Sequence, residues 1–239
     1  MEQKPFAAFD IDGTLIRWQL YHAIFDTLAK QGSINPSEYT EIRNARMAWK
    51  QRSHEESFKD YERRMVQNYD AALQQLSYAA YEQAIDEVFE EYKDQAYAYT
   101  KGLIKDLKQQ GYLLFAISGS QNEIVGKLAK YYGFDDWVGA DYPRDAQGAF
   151  TGEKIMPAGK KHEVLARLVK KHEATTEGSI AVGDSAGDIS MLEFVERPIA
   201  FNPEKQLYQH ARAGGWEIVL ERKNVIYNLK ADDGRYILD

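Results

Sequence analysis

The sequence predicts an α/β protein, a parallel β-sheet covered by helices on both faces, with an α-helical insertion near its N-terminus. Three observations lead there. Short apolar runs at Phe6-Ala7-Ala8-Phe9, Tyr112 to Ile117 and Ser179 to Gly183 read as strands buried on both sides. The chain from Thr100 onward alternates such runs with stretches whose apolar residues recur at helical spacing. Residues 17–97 show no strand-like alternation and only one proline, Pro36. The expected organisation is therefore a core of residues 1–16 and 98–239, interrupted by a helical domain at 17–97.

Composition narrows the function. The 239 residues contain 44% hydrophobic side chains, ample for a core, and no cysteine, which excludes disulfides, thiolate catalysis and cysteine metal sites. Thirty basic against 37 acidic residues give a formal charge of −7, and no basic run follows a polyanion, so a nucleic-acid partner is not expected. No apolar run reaches the roughly 20 residues of a membrane span. Met1-Glu2-Gln3-Lys4 has no signal-peptide pattern, and a cytoplasmic protein is expected. Nothing in the sequence marks an oligomeric state.

The first strand ends in Asp10-Ile11-Asp12-Gly13, two carboxylates two residues apart, with Gly13 letting the chain turn away. In the insertion, Leu20 to Leu28 carries one apolar face and stops at Gln31-Gly32. Asn35-Pro36-Ser37 starts a second helix that runs to about Arg52, and Ser53 with Glu56 has the form of a capping box opening a third. Tyr78 to Tyr92 makes a fourth. A helix ending at Gly111 precedes the second strand, which runs into Ser118-Gly119-Ser120. Ser120 with Glu123 fits another capping box, leaving the Ser118 hydroxyl unassigned and suited, with nearby backbone N–H groups, to a phosphate.

Trp137 to Ala140 reads as a short strand, and Asp145 to Gly148 as a turn leading to Phe150-Thr151-Gly152 in a small hairpin. Gly159-Lys160-Lys161 opens a helix with two lysines where the helix dipole disfavours them. The strand to Gly183 ends in Asp184, at the sheet edge where open α/β folds bind ligands, with Asp188 at the following helix start. Arg197 to Phe201 is a further strand, Pro203 to Arg212 a helix, and Trp216 to Leu220 the expected last strand. Acids clustered at strand ends need a positive partner, and oxygen-only ligands suit a hard cation, best Mg²⁺. The serine and lysine suit phosphoryl oxygens.

These residues resemble the haloacid dehalogenase superfamily of aspartate-dependent phosphohydrolases, in its phosphoserine-phosphatase-like branch. Asp10-Ile11-Asp12-Gly13-Thr14-Leu15 is similar to the first motif, Ile117-Ser118-Gly119-Ser120 to the second, Lys161 to the third and Gly183 to Asp188 to the fourth, in the family's order. Lys160 is the neighbouring candidate, but His-Glu-Val-Leu after Lys161 makes 161 the better match. The resemblance implies a three-layer Rossmann-like core, a helical cap between motifs one and two, and hydrolysis of a small phosphorylated metabolite through an aspartyl-phosphate. Asp10 would be the nucleophile and Asp12 the acid and base. Mg²⁺ would be held by the Asp10 carboxylate, the Asp12 backbone carbonyl and Asp184. Ser118, Gly119 and Lys161 would hold the phosphoryl oxygens, supported by Thr14 and by Asp188, which would orient Lys161 or a metal-bound water.

Two positions depart from the pattern. Gln19 stands where relatives that hydrolyse phosphoserine carry glutamate, and Gly187 where the fourth motif commonly has asparagine. Trp18, Gln19, Arg43 and Arg46 are candidates for selecting the substrate. A phosphotransferase or mutase shares every motif, and a binding protein without turnover is the non-enzymatic alternative.

Overall fold

A computed structural model describes residues 3–157, 159–232 and 235–238; Met1 and Glu2, part of the N-terminal reading, lie outside the described residues. Strand β1 (Pro5–Phe9) is followed by helices α1 (Leu20–Lys30), α2 (Pro36–Lys50), α3 (Ser57–Leu73), α4 (Tyr78–Tyr92) and α5 (Ala98–Gln109). Next come β2 (Leu113–Gln121), α6 (Asn122–Tyr132), β3 (Asp136–Ala140), α7 (Lys161–Lys171) and β4 (Thr175–Gly183). The chain ends with α8 (Ile189–Leu192), β5 (Arg197–Phe201), α9 (Lys205–Gly214), β6 (Glu217–Arg222), β7 (Val225–Asp232) and β8 (Arg235–Leu238). Two compact units result, one of Met1–Gln19, Glu91–Ala140 and Met156–Asp239, the other of Leu20–Glu90 and Asp141–Ile155.

The first unit is built on one sheet in the order β3-β2-β1-β4-β5-β6-β7-β8. Its first six strands are parallel. Ala8 pairs with both Phe115 and Ala181, so the C-terminal ends of β1, β2 and β4 lie side by side. Phe6, Ala8, Phe115, Ile117 and Ala181 pack against Val164, Leu165 and Leu168 of α7, Met191 and Leu192 of α8, and Leu207 and Ala211 of α9. Alternation along the strand sends Ala7 and Phe9 to the other face, where Phe9 meets Phe134 at 5.8 Å. Burial on both faces is why these strands read as continuous apolar runs. Truncating a ring such as Phe115, which is fully buried, costs about 3–5 kcal/mol.

The two crossings into the insertion are tied together within this unit. Arg17 N donates to Gln95 O at 2.8 Å and Tyr97 N to Leu15 O at 2.9 Å. The Glu221 carboxylate accepts from the backbone N–H groups of Ala98 and Tyr99, at 3.1 and 2.9 Å, satisfying the start of α5. It also takes the Arg17 guanidinium at 3.3 Å.

The second unit packs α1 to α4 around Tyr61, Met65, Tyr69 and Tyr81, all fully buried. Arg46 forks onto Asp26 with two 2.7 Å bonds and donates through Nε to the Tyr61 hydroxyl at 2.9 Å, joining α1, α2 and α3. Asp141–Ile155 belongs with these helices. Tyr142 meets Tyr69 edge-on at 5.8 Å, Phe150 meets Tyr81 at 5.1 Å, and Lys154 reaches Asp70 at 2.5 Å.

Two local expectations are corrected and one is met. Ser53 does not cap α3: its hydroxyl donates to Ala48 O at 3.0 Å, closing α2, where Arg52 takes φ +55°. The expected small hairpin is present as two antiparallel bridges, Asp141 to Ile155 and Arg144 to Phe150, around a turn in which Asp145 Oδ1 accepts from Gln147 N and Ala149 N. β6 is not the last strand, because β7 and β8 extend the sheet antiparallel beyond it.

Candidate active site

The ends of β1, β2 and β4 deliver the polar residues. Asp10 keeps the ladder running past β1 through its N–H to Val182 O, 3.0 Å. Its carboxylate meets Lys161 Nζ at 2.7 Å, and the same ammonium meets Asp188 Oδ1 at 2.5 Å. Lys161 is 4% exposed although it opens α7, which accounts for a lysine at that helix end; Lys160 beside it is exposed. Asp188 Oδ2 accepts from the Asp184 and Ser185 N–H groups and the Ser185 hydroxyl, closing the turn after β4. That closure needs Gly183, where a Cβ would fall 2.5 Å from the Asp188 Cβ.

Gly13 is required twice over. It has φ +79°, and a Cβ there would lie 2.2 Å from Asp184 Oδ2 and 3.4 Å from Gln19 Nε2. The acid loop and Asp184 therefore approach each other over a bare backbone, with the Gln19 amide alongside.

Asp12 is held apart from this cluster. Ser118 Oγ donates to its Oδ2 at 2.6 Å and Ser120 Oγ to its Oδ1 at 3.0 Å, while Ser120 N donates to Ser118 Oγ at 2.9 Å. The capping box expected of Ser120 and Glu123 is thus absent: Gln121 occupies the N-cap of α6 without a side-chain bond. The reason is that β2 runs on to Gln121, placing Ser118 and Ser120 two residues apart on one side of a strand rather than in a helix entry. This alternation was the available signal for Ser120. Glu204 is the other residue that sequence reasoning passed over. Its N–H donates to Asp184 O at 2.8 Å and its carboxylate accepts from Ala186 N at 2.7 Å, pinning the loop that carries Asp184. An acid at the start of α9 carries no sequence mark of that task.

Thr14 is buried, and its carbonyl accepts from Thr100 Oγ1 at 2.9 Å. A Cβ on Gly119 would meet nothing within 4 Å. Of the candidates for substrate selection, Arg46 is occupied by Asp26 and Tyr61, Arg43 is exposed and Trp18 is half-buried.

Burial pushes the Asp10 carboxyl well above the usual range; Lys161 opposes this, and Asp188 and Asp12 add repulsion. Asp184 is raised by burial and then by repulsion from Asp10 and Asp188. Burial alone would lower Lys161, but the two carboxylates beside it hold it above the ordinary lysine value. One carboxylate oxygen from each of Asp10, Asp184 and Asp188 lies within 4.8 Å of the others. One ammonium does not balance three acids, and the donors are all hard oxygens, so the cluster fits a divalent cation.

Residues 7–193 match the haloacid dehalogenase-like hydrolase family. The chain belongs to this family. Its similarities place it in the phosphoserine-phosphatase-like branch of these phosphomonoester hydrolases. It is 24% identical to the histidinol-phosphatase of Neisseria meningitidis over 230 residues, 90% of this chain and 98% of that protein. It is 30% identical to the phosphoserine phosphatase of Methanocaldococcus jannaschii over 130 residues, 53% of this chain and 59% of that one. In fold, a substrate-bound phosphoserine phosphatase superposes with a TM-score of 0.65 at 22% identity, covering 94% of this chain and 96% of that one. A Bordetella pertussis protein of unknown function superposes with a TM-score of 0.72 at 18% identity, covering 91% and 98%.

Proposed function

We propose that this haloacid dehalogenase-like hydrolase is a Mg²⁺-dependent phosphomonoesterase acting on a small phosphorylated metabolite, with Asp10 as nucleophile. The observation that carries the reading is the separation of the two aspartates: Asp10 faces Lys161 and the other acids, while Asp12 is turned onto two serines. Asp10 and Asp184, with the Asp12 backbone carbonyl, would hold Mg²⁺, because both oxygens of Asp188 are taken by Lys161 and by the turn. Bound there, the cation would offset the repulsion between a carboxylate and a phosphate dianion.

Asp10 attacks phosphorus and forms the aspartyl-phosphate; Asp12 gives a proton to the departing oxygen and later takes one from the water that hydrolyses the intermediate. Ser118, the Gly119 backbone and Lys161 hold the phosphoryl oxygens as charge redistributes. Asp188 keeps Lys161 in place. A panel of phosphorylated metabolites assayed with Mg²⁺ for released phosphate tests the proposal. Asp10→Asn is expected to abolish release, and hydrolysis at the wild-type rate by that variant would refute it. Isomerised product without free phosphate would assign a mutase instead.

One observation ranks the substrates to try first. The histidinol-phosphatase is matched along nearly its whole length, and Gln19, beside Asp184, carries no charge where phosphoserine-specific relatives have glutamate. Histidinol phosphate is therefore expected to be hydrolysed faster than phosphoserine, a difference read from kcat/KM for the two esters.

A further inference from the structure

We propose that Ser120 is a positioning residue that keeps the Asp12 carboxyl group aimed while Ser118 engages the phosphoryl group; the inference rests on the acid and base reading of Asp12 above. Ser118 has one hydroxyl proton and two claimants for it. Its Oγ already accepts from Ser120 N at 2.9 Å, and its hydroxyl donates to Asp12 Oδ2 at 2.6 Å. If that proton turns to a phosphoryl oxygen, Oδ2 loses the bond from Ser118. Ser120 faces no such competition. Ser120 is 2% exposed, and its hydroxyl donates to the other carboxyl oxygen, Oδ1, at 3.0 Å.

A buried hydroxyl donating to one carboxyl oxygen restrains the group while the other oxygen serves the ester. As an Asp10 oxygen bonds to phosphorus, the ester P–O bond breaks and its electron pair passes to the leaving oxygen. That oxygen takes the proton from Asp12. The transfer needs the donor within hydrogen-bond reach and correctly turned, and it matters most when the leaving group is basic. Losing the Ser120 hydroxyl should therefore slow esters in proportion to the basicity of their leaving group, which loss of folded protein cannot do.

The test compares wild type with Ser120→Ala and Ser120→Gly on two esters of nearly the same shape, p-nitrophenyl phosphate and phenyl phosphate, with Mg²⁺. The readout is kcat/KM, which reports the step that expels the leaving group. The ratio of nitrophenyl to phenyl ester is independent of how much of a preparation is active, so a poorly folding variant still gives an answer. The ratio is expected to rise at least about fivefold in both variants, within the range that acid catalysis supplies. A ratio unchanged from wild type, in variants uniformly slow or fully active, would overturn the role of Ser120. If Asp12→Asn also leaves the ratio unchanged, the acid role of Asp12 itself fails, a separate result from failure of Ser120 alone.

Discussion

Lys161 Nζ lies 2.7 Å from Asp10 Oδ1, and both side chains are sealed from solvent, at 6% and 7% exposure. Among the described residues this ammonium is the one cation paired with the clustered acids, so removing it should act on stability and on metal binding together. Lys161→Met is expected to destabilise the protein by about 3–5 kcal/mol, the usual consequence of breaking a buried pair from one side. Added Mg²⁺ should raise the unfolding midpoint more in this variant than in wild type, because the cation then supplies charge that lysine no longer does. Equal shifts in the two proteins would contradict the linkage.

Gly13 and Gly102 should respond in opposite senses to alanine. At Gly13 the φ of +79° costs an L-residue about 1–2 kcal/mol, and the new methyl would collide with Asp184. The Mg²⁺ concentration for half-maximal activity is expected to rise at least about tenfold. At Gly102, inside α5, a Cβ meets nothing within 4 Å, so alanine should stabilise by roughly 0.5–1 kcal/mol in denaturant unfolding.

Arg46 ties three helices together through Asp26 and Tyr61. Its ion pair with Asp26 is mostly buried, 14% and 21% exposed, and Arg46→Met should cost about 2–3 kcal/mol, at the lower end for a buried pair. Denaturant unfolding measures the loss. A loss in KM without one in stability would reassign the residue to the substrate.

His22 makes the helical unit acid-sensitive. Burial, then the charge of Arg46, lowers its pKa to about 3, so it stays neutral in the fold with its ring against Tyr61 and Phe58. Below the ordinary value of about 6.5 the unfolded chain takes up a proton that the folded one refuses. Stability is therefore complete above pH 6.5 and falls toward pH 3, by about 1.4 kcal/mol for each unit. His22→Phe should flatten this part of the profile in unfolding measured at pH 7, 6 and 5.

The sheet core and the acid cluster were legible because each obeys a local rule. Doubly buried strands are apolar throughout, and acids beyond their ends break that pattern visibly. What escaped reading depends on which partner a polar group finds. Ser53 and Ser120 both precede a glutamate by three residues, yet one closes the helix before it and the other reaches Asp12 across the sheet. β7 and β8 escaped for another reason. Their hairpin turns at Lys223-Asn224 without glycine, Lys223 itself taking φ +57°, and Val225, Ile226 and Tyr227 are all exposed, so no buried face imposes an alternating pattern.

The paired crossings at Leu15–Arg17 and Gln95–Tyr97 bear on how such a chain can diversify. Because the core itself ties the two crossings together, with Glu221 holding both Arg17 and the start of α5, the intervening segment is a loop whose ends are already closed. Lengthening a closed loop adds only about 0.6 kcal/mol of entropy for each doubling. The unit that carries the acid cluster can thus keep its fold while the inserted segment between the two crossings changes in length.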